Sequence, residues 1–111
     1  PNSLIRILRG EPGALTLTGQ SRFYYILHRE VSAFVRMAIE KDLKGVYNVC
    51  SSESVSLEEL AGRFGRDVRW GNFTYDIGRV DNGKIVAIFP AFKKTSLEVI
   101  EDFVRLSGGV G

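Results

Sequence analysis

The segment RFYYILHREVSAFVRMAIEKDLKGVYNV, residues 22–49, decides how the rest of this chain is interpreted. It begins with aromatic and branched residues over a strand length, residues 22–27. Apolar residues then recur every three or four positions, which predicts a helix over residues 29–41. Gly45 ends that helix, and residues 45–49 predict a second strand. Two strands joined by one helix are expected to pair in parallel through a right-handed crossover.

The flanking segments predict a small α/β domain built around this unit. Short strands are expected over residues 15–18, where polarity alternates, and over residues 67–70. Two further helices begin with serine or threonine followed three residues later by glutamate, which is typical of a capping box. We expect residues 1–111 to form a single domain. The helices predicted outside the central unit cover residues 3–10, 56–65, 82–89 and 96–106.

The composition is that of an ordinary globular chain, with 44% hydrophobic residues, 25% charged residues and a net charge of +2. Basic residues are scattered among acidic ones, so nucleic acid is not an expected partner. The single cysteine, Cys50, cannot form an internal disulfide, which favours a cytoplasmic protein. No apolar run approaches the roughly 20 residues that cross a bilayer, so we expect no association with a membrane.

Four motifs follow one another along the chain. They are the arginine that opens the aromatic strand, Gly-x-Tyr-Asn-Val at residues 45–49 with Ser-x-x-Glu-Leu at residues 56–60, Asp-Asn-Gly-Lys at residues 81–84, and the helical segment at residues 89–104. In this order they resemble the C-terminal part of the extended short-chain dehydrogenase/reductase family. That family contains the NAD-dependent nucleotide-sugar epimerases and dehydratases. The resemblance covers residues 4–105 and implies the fold of that C-terminal part.

The resemblance implies a substrate-binding portion of an enzyme that is not catalytic alone. A complete member needs a Gly-x-x-Gly-x-x-Gly turn for the cofactor pyrophosphate and a Tyr-x-x-x-Lys pair for acid–base catalysis, and this sequence has neither. We therefore expect no catalytic residue, cofactor or metal in this chain. NAD(P) would be held by the Rossmann half of the complete enzyme. The chain starts at Pro1 without a methionine, so we expect a fragment.

Two other functions stay open at this point. A stand-alone degenerate module would bind a nucleotide or a protein partner, and a small basic domain would bind nucleic acid. The stretch before Asp81 is shorter than in the family, so neither the sugar nor the nucleotide is identified. If the chain is a portion of an enzyme, an apolar face normally covered by the missing half should drive self-association, which makes a homo-oligomer one of the expected partners.

Three polar residues are the candidate substrate-binding residues, and the resemblance supplies their roles. Arg22 stands where the family's arginine reaches the diphosphate of a nucleotide sugar, and a planar guanidinium suits phosphate oxygens. Its alternative is an arginine lying over neighbouring aromatic rings in solvent. Gln20 stands where relatives contact a sugar or base, although the polarity of a turn explains it as well. Arg79 lies in the neighbourhood of the family's second phosphate-binding arginine, and Tyr75 replaces a family glycine in the segment before it.

The other reactive side chains have simpler interpretations. His28 has no second ligand at metal-binding spacing, so a capping or surface role is expected. Cys50 has no neighbouring base and is expected to be a small buried residue. Lys93 and Lys94 are expected to be solvated. The aromatic side chains of residues 70–75 are expected to pack in the core, with stacking on a nucleobase as the alternative.

Overall fold

The structure, a computed structural model, describes residues 2–11 and 13–108. Within these ranges the chain forms five α-helices, one 3-10 helix and one two-stranded sheet. It is a small domain of mixed helices and strands, which agrees with the predicted α/β class. The elements in chain order are α1 (Ser3–Arg9), β1 (Arg22–Phe23), α2 (His28–Glu40), β2 (Val55–Ser56), α3 (Leu57–Arg63), α4 (Gly83–Ile88), the 3-10 helix (Pro90–Lys93) and α5 (Ser96–Leu106).

The predicted helices are confirmed, and each lies within two residues of its expected bounds, because local signals set their ends. The Ser56 hydroxyl accepts a hydrogen bond from the Glu59 N–H at 3.1 Å, and the Glu59 carboxylate accepts one from the Ser56 N–H at 3.2 Å. Thr95 and Glu98 make the same reciprocal pair at the start of α5, at 3.2 and 3.0 Å. These bonds satisfy N–H groups that a first helical turn leaves free.

The predicted parallel pairing of residues 22–27 with residues 45–49 is wrong. β1 pairs with β2 in antiparallel register, Arg22 opposite Ser56 and Phe23 opposite Val55. β1 ends early because the Tyr25 N–H bonds to the Ser96 hydroxyl at 3.1 Å instead of to a strand. Residues 45–49 form no strand, because side chains rather than a neighbouring backbone hold them. Val46, which is 83% exposed, is tied through its carbonyl to the Lys84 ammonium at 3.0 Å.

The prediction of regular strands over residues 15–18 and 67–70 is also wrong. Isolated parallel bridges join Ala14 to Arg69 and Leu17 to Phe73. Their spacing is unequal, three residues on one side and four on the other, so no continuous ladder forms. Gly71 takes up the extra residue, and a side chain there would collide with the backbone carbonyl of Thr16. Residues 69–77 therefore run alongside residues 14–22 without forming a regular strand pair.

Two apolar clusters form the interior. One cluster lies between α2, α4 and the 3-10 helix. There Phe34 packs edge-on against Phe89 and Phe92, with ring planes at 84° and 83°. The predicted stripe on α2 is only half buried, since Val35 and Ile39 are 49% and 75% exposed. The other cluster lies between α1, α3 and α5 and contains Ile7, Leu8, Leu15, Val55, Leu57, Leu60, Ala61 and Ile100.

A seam of buried hydroxyl groups lies beside these clusters. The Ser51 and Ser96 hydroxyls are 2.7 Å apart, and both residues are almost fully buried. The same Ser96 hydroxyl accepts the Tyr25 N–H, so the segment after β1, the loop before β2 and the start of α5 meet at one point. Because buried hydroxyls must be bonded, these contacts are directional, unlike apolar packing.

Lys94 connects α2 with α5 and is not the solvated lysine that was expected. Its ammonium donates to Glu30 at 3.2 Å and to Asp102 at 2.7 Å, and both acids are buried. Arg105 donates to the second oxygen of Asp102 at 2.6 Å. The hydrogen bond with Asp102 raises the pKa of Lys94, and the same bond lowers the pKa of Asp102. Lys93, the neighbouring lysine, is exposed.

None of the helices in the described part of the chain is long and apolar enough to cross a membrane, and the longest, α2, has 13 residues.

Candidate functional site

A polar cleft of about 560 Å³ opens between the loop that precedes β2 and the loop that precedes α4. Arg22 of β1 and Arg79 of the second loop both line it, so two of the three candidate residues lie around one cavity. Three acidic side chains, Glu53, Glu59 and Asp76, line it as well. The formal charges of these five side chains sum to −1. The cleft therefore offers directed N–H donors rather than a uniformly positive surface.

The Arg22 guanidinium is held in place by its neighbours. Its Nε donates to the Ser54 hydroxyl at 2.9 Å, and one terminal nitrogen donates to the Ser54 carbonyl at 3.2 Å. The other terminal nitrogen forms a 3.1 Å ion pair with Glu59. These bonds use three of the five N–H groups of a guanidinium and leave two for a ligand. Arg22 does not lie free over the aromatic rings, which was the alternative interpretation.

Glu59 accepts hydrogen bonds from three donors on a single oxygen. The donors are the Ser56 N–H, the Ser56 hydroxyl at 3.0 Å, and Arg22. Partial burial raises the pKa of Glu59, but the bonds from Ser56 and the charge of Arg22 outweigh burial, so the pKa of Glu59 lies below its ordinary value. Glu59 thus stays ionised and partly neutralises Arg22.

Arg79 is exposed, and its guanidinium makes no hydrogen bond or ion pair with the residues that the structure describes. The backbone on either side of it is fixed. The Asp76 carboxylate accepts the Gly78 N–H at 2.8 Å, and the Tyr24 hydroxyl accepts the Val80 N–H at 3.1 Å. Gly78 has a φ of 79°, a conformation that other residues avoid. Arg79 is therefore an available guanidinium on an anchored turn.

Gln20 lies outside this cleft. It is exposed in the turn before β1, and it lines none of the cavities found among the described residues. Its neighbour Gly19 is buried, and the Gly19 carbonyl accepts the Glu58 N–H at 2.9 Å. The structure thus brings Arg22 and Arg79 together and leaves Gln20 apart. That any of the three binds a substrate stays a prediction.

A second, apolar groove of about 290 Å³ adjoins the polar cleft. Tyr24 lines both cavities, and the loop before α4 contributes to both, with Asp76 and Arg79 on the polar side and Ile77 and Val80 on the apolar side. Sequence reasoning missed Tyr24 and this groove. The interleaving of polar and apolar residues along residues 76–80 is the signal that could have indicated it. The remaining lining residues are Ile26, Asn48, Val49 and Cys50.

The described residues include no group of three or more His, Cys, Asp or Glu side chains placed to hold a metal ion. His28 is exposed at the first residue of α2. Burial raises the pKa of the Cys50 thiol, which keeps it protonated and weakly nucleophilic. Arginine N–H groups and apolar side chains are among the groups that this region offers to a ligand.

Comparison of the chain with protein-family models finds no match, and neither the curated proteins nor the solved structures contain a match to it. The four sequence motifs thus remain the whole basis of the resemblance to the extended dehydrogenase/reductase family.

Proposed function

We propose that this chain binds a nucleoside diphosphate, as the substrate-binding portion of an NAD-dependent nucleotide-sugar epimerase, dehydratase or reductase. The observation that carries the proposal is the pair of adjoining cavities, one polar with two arginines and one apolar, that share Tyr24. A nucleoside diphosphate has the same division into a charged part and a flat apolar part.

The polar cleft suits the diphosphate because its two arginines are complementary. Arg22 is already oriented by Ser54 and Glu59, so little rotamer freedom is lost when it binds. Arg79 brings a full guanidinium that no described residue neutralises, and charge-assisted bonds to phosphate are among the strongest that side chains make. The three acidic side chains around the cleft repel an anion. Binding should therefore depend on the two guanidinium groups and should weaken as the salt concentration rises.

The apolar groove suits the base. Ile26, Ile77 and Val80 provide aliphatic contact, and Asn48 lines the groove as well. The Asn48 amide nitrogen donates to the Asp81 carbonyl at 2.8 Å, which leaves its oxygen as an acceptor for a base amino group.

Three glycines near the start of the chain do not form the turn that holds a dinucleotide. Gly10 ends α1, and Gly13 and Gly19 lie in the irregular segment before β1, so these three glycines form no turn between a strand and a following helix. Such a turn is what presents backbone N–H groups to a dinucleotide pyrophosphate. Hydride transfer is therefore assigned to a Rossmann half outside these residues, and this chain contributes binding and orientation of the substrate.

The test is calorimetric titration of the 111-residue chain with a nucleoside diphosphate and with the corresponding nucleoside. Arg79→Ala should weaken diphosphate binding by about 1.5–3 kcal/mol, the usual contribution of a hydrogen bond to a charged group, and should leave nucleoside binding unchanged. The matched control is Arg36→Ala on α2, which removes an exposed arginine that lines none of the described cavities. Equal affinities of wild type, Arg79→Ala and Arg36→Ala would refute the proposal.

A second candidate is a stand-alone nucleotide-binding module, favoured because the polar cleft and the apolar groove share Tyr24 within the described residues. The two functions differ in what the isolated chain can do. A module reaches full affinity unaided, whereas a substrate-binding portion gains affinity when the cofactor half is added.

A further inference from the structure

The outer edge of residues 69–77 carries backbone groups that nothing in the described structure satisfies. On its inner side this segment bonds to residues 14–22. The Phe73 N–H donates to Thr16 at 3.1 Å and its carbonyl accepts from Thr18 at 2.9 Å. The Tyr75 N–H donates to the Ser21 hydroxyl at 3.1 Å, and its carbonyl accepts from Arg22 at 2.8 Å.

Because Phe73 and Tyr75 both point their N–H and C=O groups inward, the residues between them point theirs outward. The backbone N–H and C=O groups of Asn72, Thr74 and Asp76 bond to no other described residue. These residues are exposed, and neither proline nor lysine interrupts the edge. An open edge of this kind is a template for another extended chain.

The side chains beside this edge are apolar and incompletely covered. Phe73, Tyr75 and Ile77 are 57%, 42% and 48% exposed. They alternate with polar residues, so they share one face of the extended segment. Tyr75 stacks on Phe23 at a centroid distance of 5.1 Å, which fixes this face relative to β1.

We propose that this edge pairs in antiparallel register with the same edge of a second copy of this chain. Alternating donors and acceptors are complementary to themselves under a two-fold axis, so one surface serves both partners and the assembly closes as a dimer. The pairing uses backbone groups that point away from β1, so it is tested on the chain without a nucleotide.

Charge selects the register of this pairing. With the axis at Phe73, Asn72 of one copy faces Thr74 of the other, and beyond this paired stretch Asp67 lies toward Arg79. With the axis at Thr74, Arg69 would lie toward Arg79 instead, and like charges brought together across a strand pair are destabilising. The axis therefore passes through Phe73, whose ring meets the Phe73 ring of the partner subunit.

The first test is sedimentation velocity of the full 111-residue chain from micromolar to millimolar concentration. Wild type should reach a dimer and no larger species. Thr74→Pro removes an outward N–H that has no inner partner, so it should weaken dimerisation by about tenfold or more. The matched control, Thr74→Val, keeps that N–H and removes only the hydroxyl that lies 2.7 Å from the Thr18 hydroxyl, so it should dimerise like wild type.

The second test holds even if Thr74→Pro fails to fold. Non-hydrogen-bonded antiparallel partners have Cα atoms about 4.5 Å apart, which a disulfide can span. Phe73→Cys should therefore form a disulfide-linked dimer under mild oxidation, and Ile39→Cys on the exposed face of α2 should not. A wild type that stays monomeric, larger species that grow with concentration, equal weakening by Thr74→Val, or equal cross-linking of both cysteine variants would each overturn the proposal.

Discussion

Arg22 and Glu59 form a 3.1 Å ion pair in which the acceptor oxygen also belongs to the capping box of α3. The same carboxylate thus starts a helix and restrains the arginine that faces the polar cleft. Binding and folding are coupled at this pair, because the carboxylate that orients Arg22 also places a negative charge beside the cleft.

Glu59→Gln should tighten nucleoside diphosphate binding while slightly destabilising the fold. The amide removes one negative charge from the cleft, and its oxygen remains a hydrogen-bond acceptor for Ser56 and Arg22. The side chains of the pair are 38% and 50% exposed, so the loss of unfolding free energy should be about 0.2–1 kcal/mol. Calorimetric titration and urea unfolding measure the two effects. Equal or weaker binding by Glu59→Gln would contradict the prediction that the Glu59 charge opposes the diphosphate.

Lys94→Met should lower the free energy of unfolding by about 1–3 kcal/mol, because it leaves the buried carboxylates of Glu30 and Asp102 without a cation that both now share. Lys93→Met is the matched control, since it removes the adjacent exposed lysine and should have almost no effect. Urea unfolding of the two variants at neutral pH makes the comparison.

The difference in unfolding free energy between wild type and Lys94→Met should also depend on pH. The pKa of Asp102 is lowered in the fold, so its contribution is present above its ordinary pKa of 3.8 and is lost as the pH falls through the folded value. The pKa of Lys94 is raised, so its contribution is present below 10.5 and is lost as the pH rises through the folded value. Unfolding curves of wild type and Lys94→Met should therefore converge at both extremes. A constant difference across pH would mean that packing, not charge, accounts for it.

Gly71→Ala and Gly62→Ala should change stability in opposite directions. A side chain at Gly71 collides with the Thr16 carbonyl, so residues 69–77 must move away from residues 14–22, and we expect a loss of about 2 kcal/mol or more. Gly62 lies exposed within α3 with open space around it, so alanine there should stabilise by about 0.5–1 kcal/mol. Thermal unfolding measures both. Similar melting temperatures for the two variants would contradict the close approach at Gly71.

The helices could be predicted from sequence because their signals are local. The capping box of Ser56 and Glu59 and the apolar spacing of α5 specify start, end and buried face without reference to distant residues. The sheet could not be predicted in this way. β1 pairs with Val55 and Ser56 because the capping box already holds these two residues in place. No pattern within residues 45–49 shows that another segment occupies the position beside β1.

The candidate site was predictable to the same extent. Arg22 was found because it opens a recognisable strand, but its restraint by Ser54 depends on a partner 32 positions away. Arg79 was assigned from the resemblance alone, since residues 71–80 have no periodicity. Tyr24 was missed because an aromatic residue beside a strand usually indicates core packing. It lines two cavities only because the loop before α4, which is distant in sequence, packs next to it.

The hydroxyl seam at Ser51 and Ser96 has a consequence for the polar cleft. Ser51 directly precedes the residues that form one wall of that cleft, and its bond to the start of α5 is short and directional. Apolar contacts tolerate sliding, whereas a hydrogen bond of this kind tolerates little change of angle. We therefore expect the Ser51–Ser96 bond, which lies outside the lining of the cleft, to fix the spacing between its two walls and with it the separation of Arg22 and Arg79.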